Sequence, residues 1–345
     1  MQTQIEYEVK TIKSKHLKLN DLKQEAQDSY LYKKYLHKED IPEYPRPELH
    51  VSCLKHDTNQ QGLCGIRADE GFKASQKLSL VWWSLAVRPE EIQSAETRLL
   101  DETYPKRTEE QAAKQENFLW RFASSPAFSE KSRYGSYRFT FPVEEVLTAY
   151  REQFCSGAPP IMRVFKTKLF KQEVEYAVLV HSPAKQELFS EYPLFLYDDP
   201  NAVCTYRDGR FVWRPEAMCE THSYELIQRP DENQMTARPW SWRPPFYVWD
   251  HVALALHVEN GQMLKFDADR LRANLTFCDQ DNVKLPLKFN FDRFEDAKKV
   301  VRHLWPKSTP LKREPSIWGF TAEQPNNNPL TKEEEDSMEF ENSQQ

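Results

Sequence analysis

His56-Asp57-Thr58 ends an apolar run, LHVSCLKHDT, that leads into NQQGLCGIRADEGF. Residues two apart in an extended chain share a face, so His56 and Thr58 can present an imidazole and a hydroxyl to one side of a cleft. That pair suits a ribose hydroxyl or a carboxamide; the plainer reading is a strand-end histidine satisfied by a neighbour. His50, Cys53, His56 and Cys64 form one set of imidazole and thiolate donors, and Cys204, Cys219 and His222 a second. Such donors suit zinc, but a strand through 49–55 sends His50 and His56 to the face opposite Cys53, and no C-x-x-C pair anchors either set. No metal site is therefore predicted. Cys155, in FCSGAPP, has no base placed beside it, and neither G-x-S-x-G nor H-E-x-x-H occurs. The run Pro239-Trp240-Ser241-Trp242-Arg243-Pro244-Pro245-Phe246-Tyr247-Val248-Trp249 reads as a loop stapled by tryptophans or as a partner-binding ridge.

A strand carrying H-x-T, then a helix, then a Gly-Phe exit resembles the opening of the ADP-ribosyltransferase fold of the poly(ADP-ribose) polymerases and related toxins. The matching residues here are His56, Thr58, Ile66, Gly71 and Phe72, and the likeness spans about residues 49–230. The family's next element, an aromatic strand before a helix with small residues, corresponds to Val81-Trp82-Trp83-Ser84 and the helix around Ala95-Glu96. The resemblance implies an NAD or ADP-ribose site built from His56, Thr58, Trp82, Trp83 and Ser84. It also implies a late-strand glutamate, Glu225 in Tyr224-Glu225-Leu226-Ile227, with Glu187 and Glu191 as alternatives. That carboxylate would stabilise an oxocarbenium-like transition state, as in glycosidases. Trp82-Trp83 stands where the family carries a tyrosine, which leaves open both an active NAD-dependent transferase and an inactive binder. A fainter likeness, to interferon-induced fish proteins of the grass carp reovirus-induced class, implies a role in innate antiviral defence. The alternative is a non-catalytic interaction protein using 239–249 to engage a protein partner.

The elements that must position these residues follow from periodicity. Leu19, Leu22, Ala26 and Tyr30 give a helical stripe within 15–38, and the prolines of IPEYPRPE end it. Leu49–Lys55 reads as one strand, Asn59–Ala68 as a short helix, and Leu78–Val87 as a strand covered on both faces. Pro89 opens a helix with Ile92, Ala95 and Leu99, and Pro142 opens another with Val143, Val146, Leu147, Tyr150 and Phe154. Ile161–Phe170 and Val174–His181 read as a hairpin. Asp208-Gly209 and Asn260-Gly261 each predict a hairpin turn, the second joining Val248–Val258 to Met263–Phe266. Asp292 and Glu295 predict a capping box for a helix with Phe294, Ala297, Val301 and Leu304.

The expected fold class is therefore α+β, helices early and antiparallel strands late. A helical extension over 1–46, a core over 47–305 and a disordered acidic tail over 306–345 are expected. Across 345 residues, 39% hydrophobic and 13% aromatic content excludes global disorder. Only 8 residues are glycine, and no phosphate-cradling glycine motif occurs, which sets aside Rossmann and P-loop readings. A net charge of −6 argues against a nucleic-acid partner, although a local basic groove stays open. The opening MQTQIEYEVKTIKSK has no signal-peptide core, and no run reaches about 18 apolar residues. A cytoplasmic protein with reduced cysteines and no membrane association is expected.

Overall fold

The computed structural model describes residues 10–13, 47–74, 79–103, 105–113, 119, 126–128, 130–170, 173–195, 202–215, 224–229, 234–239, 251–281 and 290–315. In chain order these form β1 (Lys10–Lys13), β2 (Leu49–Val51), β3 (Cys53–Thr58), α1 (Gln60–Asp69), β4 (Gly71–Lys73), β5 (Leu80–Ala86) and α2 (Pro89–Thr103). There follow α3 (Glu109–Ala113), β6 (Tyr137–Pro142), α4 (Val143–Phe154), β7 (Ile161–Phe170), β8 (Glu173–His181), β9 (Cys204–Arg207) and β10 (Arg210–Trp213). The last are β11 (Tyr224–Arg229), β12 (Gln234–Pro239), β13 (His251–His257), β14 (Met263–Lys265), α5 (Ala268–Ala273), β15 (Leu275–Phe277) and α6 (Phe294–Leu304).

Eight strands make one sheet in the order β1-β7-β8-β13-β5-β3-β6-β15. Only β8 and β13 run parallel; the other neighbours are antiparallel. The fold is α+β, as composition and periodicity predict. Strand alternation divides the sheet chemically. Leu54, Val81, Trp83, Leu85, Phe139, Phe141, Val178, Val180, Leu254 and Leu256 fall on one face and are buried in a single apolar cluster. On that side α1 packs against β3 and β4, and α4 against β6 and β14. The alternate residues, among them Lys55, Asp57, Ser84, Arg138, Thr140 and His251, fall on the opposite face.

Four features depart from the sequence reading, each for a tertiary reason. The expected strand 49–55 breaks at Ser52, whose backbone N–H and hydroxyl both donate to Glu91 Oε1, at 2.8 and 2.7 Å. Its carbonyl accepts from Val143 N–H at 2.9 Å, so β2 leaves to join β10 and β9 while β3 stays in the main sheet. Asn260-Gly261 does form a turn, with Gly261 at φ 84, but no hairpin: β14 pairs with β4 and β13 with β5 and β8. Asp292 does not cap α6, because Tyr137 donates its hydroxyl to that carboxylate at 2.6 Å; Arg293 is the N-cap, without a side-chain bond. Finally, β1 pairs with β7, and Leu311 is buried at 4% exposure. The sheet thus recruits chain from the expected N-terminal extension, and the core recruits the start of the expected tail. The helical stripe of 15–38 and residues 316–345 lie outside the described residues. α1, β5, α2 and α4 stand where their patterns put them. Asp208 and Gly209, at φ 52 and 77, turn β9 into β10.

Candidate functional site

β3 carries His56 and Thr58 toward the apolar face. The His56 ring lies 4.9 Å from Phe72 and 5.5 Å from Trp83, so the histidine, the Gly-Phe exit and the aromatic strand meet. Nδ1 donates to the Trp82 carbonyl at 2.7 Å. A carbonyl only accepts, so that bond fixes the Nδ1–H tautomer and leaves Nε2 as the acceptor. Desolvation lowers the His56 pKa, more than the Trp82 bond and the Asp57 charge raise it, and the ring is neutral. Thr58 is pressed against α1: a Cβ on Gly62 would sit 2.0 Å from Thr58 Oγ1.

Trp82 and Ser84 are not gathered there. Lys55 pairs with Ser84, so Ser84 and Trp82 belong to the opposite face from His56, with the sheet between them. The Trp82 ring packs 6.2 Å from Phe165 and lies under Lys166 Nζ at 5.0 Å; Ser84 Oγ lies 3.5 Å from His251 Nε2. Glu225 stands on β11, which pairs with β12 in a separate two-stranded ladder. Of the alternatives, Glu187 and Glu191 fall in the turn-rich segment after β8.

What the structure does bring together is a group the sequence reading passed over. A cavity of about 500 Å³ opens where β3, β6 and β15 meet the start of α2, the end of α5 and the segment after α6. Lys55, Arg138, Thr140, Thr276, Arg88, Glu90, Glu130 and Glu314 supply its polar wall. Arg138, on β6 opposite Asp57, donates Nε and Nη2 to the two Asp57 oxygens at 2.7 and 2.9 Å and Nη2 to the Lys131 carbonyl at 3.1 Å. Its side chain is 2% exposed, and Nη1 lies 3.6 Å from Glu314 Oε1. Burial works to raise the Asp57 pKa, but the Arg138 charge and hydrogen bonds outweigh it and the carboxyl is lowered. Lys55, 6% exposed, has its pKa pulled down to about 7, first by desolvation and then by the Arg138 charge. Thr140 Oγ1 and Glu130 Oε2 are buried and find no hydrogen-bond partner among the described residues. Buried polar atoms are nearly always satisfied, so this wall is built to meet water or a ligand.

Burial raises the Cys155 pKa, against a weaker Ser182 bond, and so disfavours its thiolate. His50 turns to Glu48 at 2.8 Å and Cys53 to Arg88. Among the described residues no three His, Cys, Asp or Glu converge as metal ligands. Cys219, His222 and most of the 239–249 run lie outside the described residues. No described helix is long and apolar enough to cross a membrane.

Three histidines give the molecule an acid response. His56, His181 and His257 all have lowered pKa values, each chiefly through desolvation. His181 Nδ1 donates to the Ser182 carbonyl at 2.8 Å and Nε2 accepts from Arg163 Nε at 2.8 Å, an arrangement open only to the neutral ring. The unfolded chain's histidines take protons near pH 6.5 and the folded ones only below that, so the histidines' contribution to stability is present above about pH 6.5 and falls as pH drops below it. Urea melts are expected to lose up to about 4 kcal/mol between pH 7.5 and 5.5, about 1.4 kcal/mol per histidine. A flat profile over that range contradicts the neutral assignment.

Comparison of the chain with protein-family models, with curated proteins and with solved structures finds no match.

Proposed function

We propose that the protein binds a small anionic ligand in the Lys55–Arg138 cavity, and that ADP-ribose or NAD, the ligands implied by the sequence resemblance, belong to the class it accepts. The observation that supports this reading is the combination on one wall of two buried cations with two buried polar atoms, Thr140 Oγ1 and Glu130 Oε2, that lack partners among the described residues. A phosphate or carboxylate offers an acceptor to Thr140 and a counter-charge to Lys55 and Arg138, where exclusion of water strengthens the attraction. A hydroxyl, such as ribose carries, offers a donor to Glu130. The reading is one of binding rather than transfer. Glu225, the carboxylate that the resemblance implies for transfer, stands on β11 in a ladder separate from the cavity's sheet.

Titration calorimetry of the full chain with ADP-ribose, NAD and inorganic pyrophosphate tests the proposal. Binding is expected with proton uptake, because an anion beside Lys55 restores the proton that the cavity withdraws near pH 7. Affinity should then fall by up to about tenfold from pH 7 to pH 8. Lys55→Met should abolish binding while keeping a cooperative thermal transition, since methionine fits an apolar, desolvated site. No heat and no thermal shift with any of the three polyanions at millimolar concentration overturns the reading.

A further inference from the structure

Of the carboxylates in the cavity wall, Glu314 comes from the segment after α6. After α6 the backbone runs back along β15: Phe277 N–H donates to the Lys312 carbonyl at 2.9 Å, and Glu314 N–H to the Phe277 carbonyl at 2.7 Å. These bonds set the Glu314 carboxylate in the cavity wall. There Oε2 accepts from Thr276 Oγ1 and Oε1 faces Arg138 Nη1 at 3.6 Å, too long for a hydrogen bond.

The contact with Arg138 is therefore an ion pair of loose geometry, while the same guanidinium makes two close bonds to Asp57. Asp57 comes from within β3 and is fixed by the sheet. Glu314 comes from a short run anchored by Leu311, by an exposed Arg313–Asp279 pair at 2.6 Å and by Arg313 lying over Phe277 and Phe294. Of the two carboxylates on Arg138, Glu314 is thus the replaceable one.

We infer that Glu314 is an internal stand-in for the ligand's phosphate or carboxylate, so that ligand entry displaces it and releases residues 312–315 from β15. This rests on the cavity reading above and adds its regulation: the segment after α6 competes with ligand, and ligand in turn controls whether that segment stays docked. Reciprocity is obligatory, because one coupling free energy governs both directions.

Two measurements on the full chain test this, with ADP-ribose and inorganic pyrophosphate as the phosphate probes and succinate as the carboxylate probe. Glu314→Ala should bind the preferred probe about tenfold more tightly than the wild type. Saturating probe should speed hydrogen exchange at the amides of Phe277 and Glu314 in the wild type while slowing or sparing exchange in β3 and β6. Wild-type binding with unchanged affinity in Glu314→Ala and unchanged exchange at those two amides overturns the displacement and leaves the cavity reading standing. Failure of both proteins to bind any of the three probes overturns both. A weaker-binding Glu314→Ala also counts against it, since Glu314 would then be a ligand-holding group rather than a competitor.

Discussion

Arg138→Met is expected to cost about 3–5 kcal/mol of folding stability. The guanidinium is 2% exposed and its partner Asp57 10% exposed, so removing the cation leaves a carboxylate inside the protein without its counter-charge. Lys55 offsets part of the loss, because without the Arg138 charge its pKa rises and Asp57 favours its charged form, while its own burial still holds that pKa down. Two further variants separate charge from shape. Asp57→Asn alone should cost less, because Glu314 still faces Arg138 at 3.6 Å and the Lys131 carbonyl still accepts from it, whereas Arg138→Met with Asp57→Asn should cost clearly less than the two added together. Urea unfolding of the four proteins measures the coupling; a cost below about 1 kcal/mol for Arg138→Met would show that the pair is solvated after all.

Gly135→Ala is expected to be nearly as damaging for a geometric reason. Gly135 adopts φ 143, and a Cβ there would stand 2.3 Å from the Thr58 carbonyl oxygen and 2.4 Å from the Asn59 nitrogen. Both obstacles are backbone, at the junction where β3 becomes α1, so neither can swing aside. The strained conformation costs about 1–3 kcal/mol and the collision about as much again. Gly157→Ala is the control: its φ of 83 carries strain, but nothing lies within 4 Å of the added carbon, so about 1–2 kcal/mol is expected. Thermal melts in which the two variants lose equal stability would show that the contact with Thr58 is immaterial.

Local patterns were legible wherever one segment decides its own structure. The spacing of Val143, Val146, Leu147 and Tyr150 gave α4, and Asp208-Gly209 gave the hairpin of β9 and β10. The break at Ser52 was not legible, because it depends on Glu91, a helix residue far along the chain. The candidate site was legible only in part. Trp82 and Trp83 are adjacent in a strand, so they must face opposite sides, and a pocket using both with His56 contradicted the very periodicity that predicted the strand. The same alternation could have flagged Lys55, one residue before His56, as the chemistry on the other face. Its partners could not be read: Arg138, Thr276 and Glu314 lie in three later segments, and only the sheet order joins them.

The place of β13 has a consequence for how the molecule is made. Every residue of β13 is buried, and among the described residues it alone links β1-β7-β8 to β5-β3-β6-β15. During synthesis every strand of the two flanking groups except β15 emerges before it, so each group carries an unpaired edge at what will become the middle of the sheet. Such edges are templates for pairing with another chain, and pairings this distant in sequence form slowly. The nascent chain therefore passes through a stage with two open seams, closed together by one late strand. Interruption of synthesis before residue 251 would leave both seams open, a product suited to a chaperone or to aggregation.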